Sequence, residues 1–265
     1  ELEAFKKNQS PGQSFHILDL DSRKGKAPGG YNYPLYETGV PFIFMNSADS
    51  VIDLTTMVHE GGHAIHSVLT RDLDYVPYRN VPSEIAELAS MSMELISMEH
   101  WERFFNDPQD LTDARREQLE QVIIALPWIA AIDKFQHWIY THPTHNTAER
   151  KAEWHRIHQM FSSSIIDHTG YEEAFDHVWQ KQIHLFQYPF YYIEYGIAQL
   201  GAMAVWRNYV SDPQQTIQQY LNALRLGYSA DMGTVYQTAG VRFDFSKPYV
   251  KELASFLMSR LDKLG

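Results

Sequence analysis

His59, Glu60 and His63 stand in the pattern His-Glu-x-x-His. On a helix, residues four apart share a face one turn apart, so both imidazoles can reach one metal ion. Glu60 follows the first histidine and lies close enough to hold a metal-bound water without being a ligand itself. Zinc lowers the pKa of such a water to about 7, and a nearby carboxylate can take its proton as it attacks a carbonyl. The bland alternative is a chance match on an ordinary helix. The residues around the pattern speak against it.

Those residues predict the helix that the pattern needs. Ser50 as N-cap with Asp53 at the third helical position is a capping-box variant. Val51, Ile52, Leu54, Val58, Ile65, Val68 and Leu69 are frequent enough to bury the helix on most sides. Gly61 and Gly62 interrupt it, each costing about 1 kcal/mol relative to Ala in a helix interior. Two adjacent glycines between the histidines predict that something packs against the backbone there, with a crossing helix the simplest choice.

A third ligand is sought on the next helix. Pro82 stands where a first helical residue would be, and Ser83 to Met98 follows. Its carboxylates Glu84, Glu87 and Glu94 share one face among small and apolar residues. Such a stripe is costly to bury unless it is paired or metal-bound, and the alternative is a solvated face. Spacing alone does not choose between Glu84 and Glu87. Further on, Tyr188, Tyr192 and Tyr195 are spaced four and three apart, one face if a helix runs through, with His184 a turn before. Phenols there could aim at a developing oxyanion; a tyrosine-rich core helix is the competing reading.

The chain has 265 residues, enough for one domain or slightly more, and 44% of them are hydrophobic. A net charge of -11 argues against nucleic acid and anionic membrane as partners. There is no Cys, so any zinc must be held by His and carboxylate. That composition is compatible with the cytoplasm, the expected location. The apolar run Val122 to Ile132 is too short for a membrane span and contains Pro127. Residues 1–48 read as a small strand-and-loop region. Strands are expected at Ser14–Leu20 and Val40–Asn46, flanking a turn-rich loop, and their edge could pair with an extended peptide. Residues 49–265 read as helical, with segments at Leu111–His142 (kinked at Pro127), Thr147–Ser162, Tyr171–Gln182, Thr216–Leu226 and Tyr249–Leu264. Trp138, Trp154 and Trp179 read as core.

The stretch His59-Glu60-Gly61-Gly62-His63-Ala64-Ile65-His66 resembles the H-E-x-G-H-x-x-H motif of the thimet oligopeptidase and oligoendopeptidase F family of zinc metallopeptidases. Ala86-Glu87-Leu88-Ala89-Ser90 resembles the segment that carries that family's third zinc ligand, which implies His59, His63 and Glu87 as the ligand set for one Zn2+ per chain. Glu84 or Glu94 is then left to orient a histidine. Lys24 to Gly30 and Phe42 to Asn46 are similar to the family's glycine loop and following strand, implying substrate contacts at Gly29 and Gly30. The late run matches the family's His and Tyr cluster. It implies His184, Tyr188 and Tyr195 at the scissile carbonyl and Tyr192 on the substrate. The resemblance covers most of residues 15–245.

It further implies a mainly α fold: a helical zincin-type catalytic domain with a small β-sheet near the N-terminus, beside the metal site. The implied reaction is zinc-dependent hydrolysis of short oligopeptides, with Glu60 as general base and proton shuttle. Residues 1–265 are expected to form a single catalytic domain, the C-terminal part of a longer oligopeptidase whose N-terminal helical region forms the other wall of the substrate channel. The first residue, Glu1, is not Met, in keeping with that expectation. Two alternatives stand beside it. One is a zinc carboxypeptidase or dipeptidase on the same ligand set, which needs a cation for the substrate carboxylate. The other is a non-catalytic zinc-stabilised helical domain, for which Glu60 has no use.

Overall fold

The computed structural model describes residues 17–163 and 165–265. Its first elements are three short strands, β1 (Leu18–Asp21), β2 (Tyr31–Leu35) and β3 (Val40–Ser47). They form one sheet in the order β1-β3-β2, with β1 parallel and β2 antiparallel to the central β3. Pro41, Ile43 and Met45 of β3 point to the interior, as alternation on a half-buried strand requires. The sequence reading missed β2. Pro34 argues against a strand interior, but β2 lies at the sheet edge, where a missing N–H costs little. Ser14 to His16 of the expected first strand lie outside the described residues.

The loop between β1 and β2 is held by side chains reaching backbone oxygens. The Lys26 ammonium donates to the carbonyls of Asp19, Asp21 and Met45. Asn46 Nδ2 donates to the carbonyls of Ala27 and Gly29, at 2.9 and 3.0 Å. These ties hold the glycine segment against the sheet and deliver it to the start of β2.

The rest is helical. The first two long helices are α1 (Val51–Thr70) and, after the short α2 (Val76–Arg79), α3 (Ser83–Ser97). The cap of α1 is as read: the Asp53 carboxylate accepts from the backbone N–H groups of Ser50 and Ala48. Next come α4 (Pro108–Thr141), which contains Pro127, and α5 (Thr147–Phe161). Tyr171–Gln182 is not one amphipathic helix. It divides into the single turn α6 (Glu172–Phe175) and a 3₁₀ turn at Val178–Lys181. Tertiary packing overrides the weak pattern: Trp179 turns inward and Trp154 Nε1 donates to the Phe175 carbonyl. Then follow α7 (His184–Gln187), α8 (Ile193–Ser211), α9 (Pro213–Arg225), α10 (Met232–Thr238) and α11 (Lys247–Leu261). Among the described residues, no helix is long and apolar enough to cross a membrane.

The core is built around α3. Its Ile85, Leu88, Ala89 and Leu95 are fully buried, packed with Ala202, Val205 and Trp206 of α8 and Leu224 of α9. A smaller cluster gathers Phe135, Trp154 and Trp179, with Trp138 partly buried against it. On its other side α3 crosses α1 at close range. A Cβ built on Gly62 would lie 2.7 Å from Ser90 Cα and 3.0 Å from the Ala89 carbonyl oxygen. Only glycine admits that approach, so Gly62 is the packing glycine under a crossing helix. Gly61 differs: a Cβ there meets nothing within 4 Å.

The two glycines therefore make a matched test. Gly62→Ala should destabilise the chain by about 1–3 kcal/mol, because backbone rather than a flexible side chain must yield. Gly61→Ala should be neutral or stabilising by up to about 1 kcal/mol through helix propensity. Denaturant unfolding of both variants checks this; equal effects would mean the crossing is not tight at Gly62.

Candidate metal centre

Helix α1 presents His59 and His63 one turn apart, with ring centroids 4.9 Å apart and the planes nearly perpendicular. Across the Gly62 crossing, α3 brings Glu87 to meet them. Glu87 Oε2 lies 3.3 Å from His59 Nε2 and 3.7 Å from His63 Nε2. One potential ligand atom from each of the three residues lies within 4.8 Å of the others. Glu87 is 7% exposed and also accepts a 2.8 Å hydrogen bond from Ser90 Oγ.

Glu94, two turns along α3 from Glu87, closes on the far side of His59. Its Oε1 lies 2.6 Å from His59 Nδ1, and its other oxygen accepts from Gln118 Nε2 of α4 at 2.7 Å. This is the carboxylate–histidine arrangement that fixes a ligand ring and its tautomer. Glu84 is elsewhere: its carboxylate is felt by Glu194 of α8, whose pKa burial and Glu84 together push up to about 7.

Glu60 is buried, at 5% exposed, and its Oε2 has no hydrogen-bond partner. Burial pushes its pKa up to about 7; His59 opposes the shift and Glu87 adds to it. A buried carboxylate oxygen without a partner is costly in a merely structural helix. Gly30 stands against it, since a Cβ there would come within 3.3 Å of Glu60 Oε1. Gly29 is exposed, with φ +100° and open space around it. Burial lowers the His63 pKa to about 4, leaving a neutral ring with a lone pair. Burial also opposes charge on His59, but Glu87 and Glu94 outweigh it and raise the pKa to about 10. A divalent cation among these atoms would take the place of the Nε2 proton while Glu94 keeps the other. Two imidazoles and one carboxylate, with no sulfur, fit zinc with an open position. His66, last of the motif, is buried and neutral and faces the Leu224 carbonyl of α9 instead.

The tyrosine segment differs from its expected shape. No helix runs from His184 to Tyr195: α7 stops at Gln187 and α8 begins at Ile193. Pro189 supplies no N–H and disfavours helical dihedrals at Tyr188, and Phe190 has φ +63°. The turn still gathers rings around His184, which lies 5.1 Å from Tyr192, 5.6 Å from Tyr195 and 5.8 Å from Tyr191, centroid to centroid. Tyr188 does not join them; it is 61% exposed. Burial chiefly, with Tyr191 and Glu87 adding, holds the Tyr195 phenol well above its usual pKa, so it keeps its proton to donate. Tyr191 was not singled out from sequence, because a face drawn on a continuous helix through 188, 192 and 195 leaves it out.

The model of peptidase family M3 matches residues 5–255. The chain belongs to peptidase family M3. Oligopeptidase PepF of Bacillus subtilis is 24% identical over 248 residues, covering 93% of this chain and 37% of the relative. The plasmid-encoded oligoendopeptidase F of Lactococcus lactis subsp. cremoris is 26% identical over 261 residues, covering 93% and 41%. Among solved structures, PZ peptidase A with an inhibitor superposes with a TM-score of 0.85 at 29% identity, covering 93% of this chain and 44% of that one. This member of the M3 family thus spans about two fifths of the length of the curated relatives it matches.

The geometry separates the three acids of α3. Glu87→Ala should abolish tight metal binding, Glu94→Gln should weaken it about 10–100-fold, and Glu84→Ala should leave it unchanged. Titration with zinc against a competing chelator measures all three. Loss of binding in Glu84→Ala with Glu87→Ala intact would shift the site by one turn.

Proposed function

We propose that this chain is the catalytic part of a longer zinc-dependent oligoendopeptidase, acting on short peptides. The observation that carries the reading is the convergence of His59, His63 and Glu87 beside a buried Glu60 oxygen with no partner. Membership of peptidase family M3 supports it, as do relatives named oligopeptidase and oligoendopeptidase. Their greater length supports reading residues 1–265 as one catalytic domain of such an enzyme. The cytoplasm remains the proposed location, on the cysteine-free composition alone.

His59, His63 and Glu87 would hold the zinc ion. When bound there, zinc supplies a Lewis acid that polarises a carbonyl and eases the ionisation of water. Glu60 takes the proton of the attacking water and passes it to the leaving amine, a task suited to a carboxylate whose pKa is pushed up to about 7. Glu94 keeps His59 in place through Nδ1. Tyr195 and His184 donate toward the oxyanion as it develops. Tyr192 contacts the substrate beside them. Tyr188, the other oxyanion donor expected from sequence, is exposed on the same turn and would have to turn in on substrate binding to reach the oxyanion. Gly30 leaves room beside Glu60 for the substrate backbone, with Gly29 opening the same loop. Among the described residues β2 has a strand neighbour on one side only, and its other edge, which begins next to Gly30, offers main-chain hydrogen bonds to an extended peptide.

Two measurements test the reading together. Elemental analysis of chelator-free protein should find about one zinc per chain. Glu60→Gln should keep that zinc and lose turnover of a quenched fluorescent peptide by about 10²–10⁴-fold. Tyr195→Phe should lower kcat by about 10²-fold with a smaller change in KM. A chain that neither holds nor takes up zinc sinks the proposal, and so does full activity in Glu60→Gln.

A further inference from the structure

The turn between α7 and α8 is held from two sides. Phe190 sits at φ +63°, a backbone state that a residue with a large side chain adopts only when its surroundings impose it. On one side its N–H donates to Oε1 of the buried Gln136 of α4, at 3.0 Å. On the other, the Tyr191 hydroxyl shares a 2.5 Å hydrogen bond with Ser83 Oγ. Ser83 is the first residue of α3, and Glu87 stands one turn further along the same helix. The Tyr191 ring lies flat on His184, with 3° between the planes, and edge-on to Tyr195 at 5.4 Å.

These contacts form a continuous path. It runs from the helix that carries Glu87, through Ser83 Oγ and the Tyr191 ring, to the two groups assigned to the oxyanion. Gln136 anchors the backbone of the turn to α4, away from the metal ligands. Ser83 anchors it to the ligand helix itself. Donors aimed at a developing charge work only when their position is set beforehand, and an error of about 1 Å is costly. Of the two donors, Tyr195 lies in the first turn of the long α8, but His184 sits on α7, a single turn, so the loop between them sets how the two stand to each other.

We propose that the Ser83–Tyr191 hydrogen bond is a latch that fixes the His184 ring and the Tyr195 hydroxyl relative to Glu87, making Ser83 a positioning residue. The inference rests on the peptidase reading above for its catalytic consequence, but not for its structural one.

The experiment has two arms. The first needs no turnover: hydrogen exchange of the zinc-loaded protein. In Ser83→Ala and Tyr191→Phe, amides of Phe190 to Tyr195 should exchange about tenfold faster, while those of Glu87 to Ser97 in α3 stay unchanged. The second is kinetic. Each variant should lower kcat about tenfold with KM within about twofold, the double variant should be no worse than either single one, and Ser83→Thr should restore kcat by returning a hydroxyl. Unchanged exchange in both variants overturns the latch. So does faster exchange with unaltered kcat in an enzyme whose turnover depends on Glu60, since the bond would then be structural only. If wild type shows no Glu60-dependent turnover, the peptidase reading fails on its own, and the exchange arm still decides whether Ser83 holds the turn.

Discussion

The site depends on how closely α1 and α3 cross. At Gly62 the backbone of α3 fills the space a Cβ would need, and that closeness brings a carboxylate from one helix between two imidazoles of the other. Ser90 serves the crossing twice. Its backbone packs against Gly62, and its hydroxyl donates to the Glu87 oxygen that faces both histidines. From the far side, Tyr220 of α9 donates to the Ala89 carbonyl at 2.7 Å. A helix pair with ordinary spacing would hold its axes about 8–10 Å apart and carry Glu87 away from the imidazoles. Helix propensity given up at Gly62 is thus exchanged for the approach of Glu87 to His59 and His63.

Burying this many ionisable groups together is expensive unless each has a partner. Most do. Glu94 bridges His59 and Gln118, Glu87 faces two imidazoles and Ser90, and His66 is neutral against a backbone carbonyl. Glu60 keeps one buried oxygen without a partner, as His66 does its Nε2, and of the two only Glu60 adjoins both His59 and Glu87 through their charges. A buried carboxylate with a raised pKa beside such a cluster is a candidate for chemistry rather than folding.

Much of this was legible in the sequence because the signals were local. Spacing put His59 and His63 on one face, the Ser50 and Asp53 pair marked the start of their helix, and the paired glycines announced a close neighbour. What sequence left open was non-local. Glu84, Glu87 and Glu94 share a helical face, and only the crossing angle of α1 and α3 places Glu87 at the histidines and Glu94 behind them. Strand β2 was missed because Pro34 reads as a breaker until the strand is known to lie at an edge. The tyrosines from Tyr188 to Tyr195 fit helical spacing and share a face only if a helix runs through. Pro189 and the left-handed Phe190 break it, and the ring that results on His184 belongs to Tyr191. Which of Gly61 and Gly62 carries the packing could not be read either, since both have the same neighbours in sequence and opposite ones in space.

The central claim is that two imidazoles from α1 and one carboxylate from α3 make a zinc site with an open position. X-ray absorption at the zinc edge of the loaded chain tests it most directly. The account predicts two imidazole nitrogens at about 2.0–2.1 Å, the remaining ligands oxygen at about 2.0–2.2 Å, and no sulfur. A spectrum with one, three or four imidazoles would contradict it.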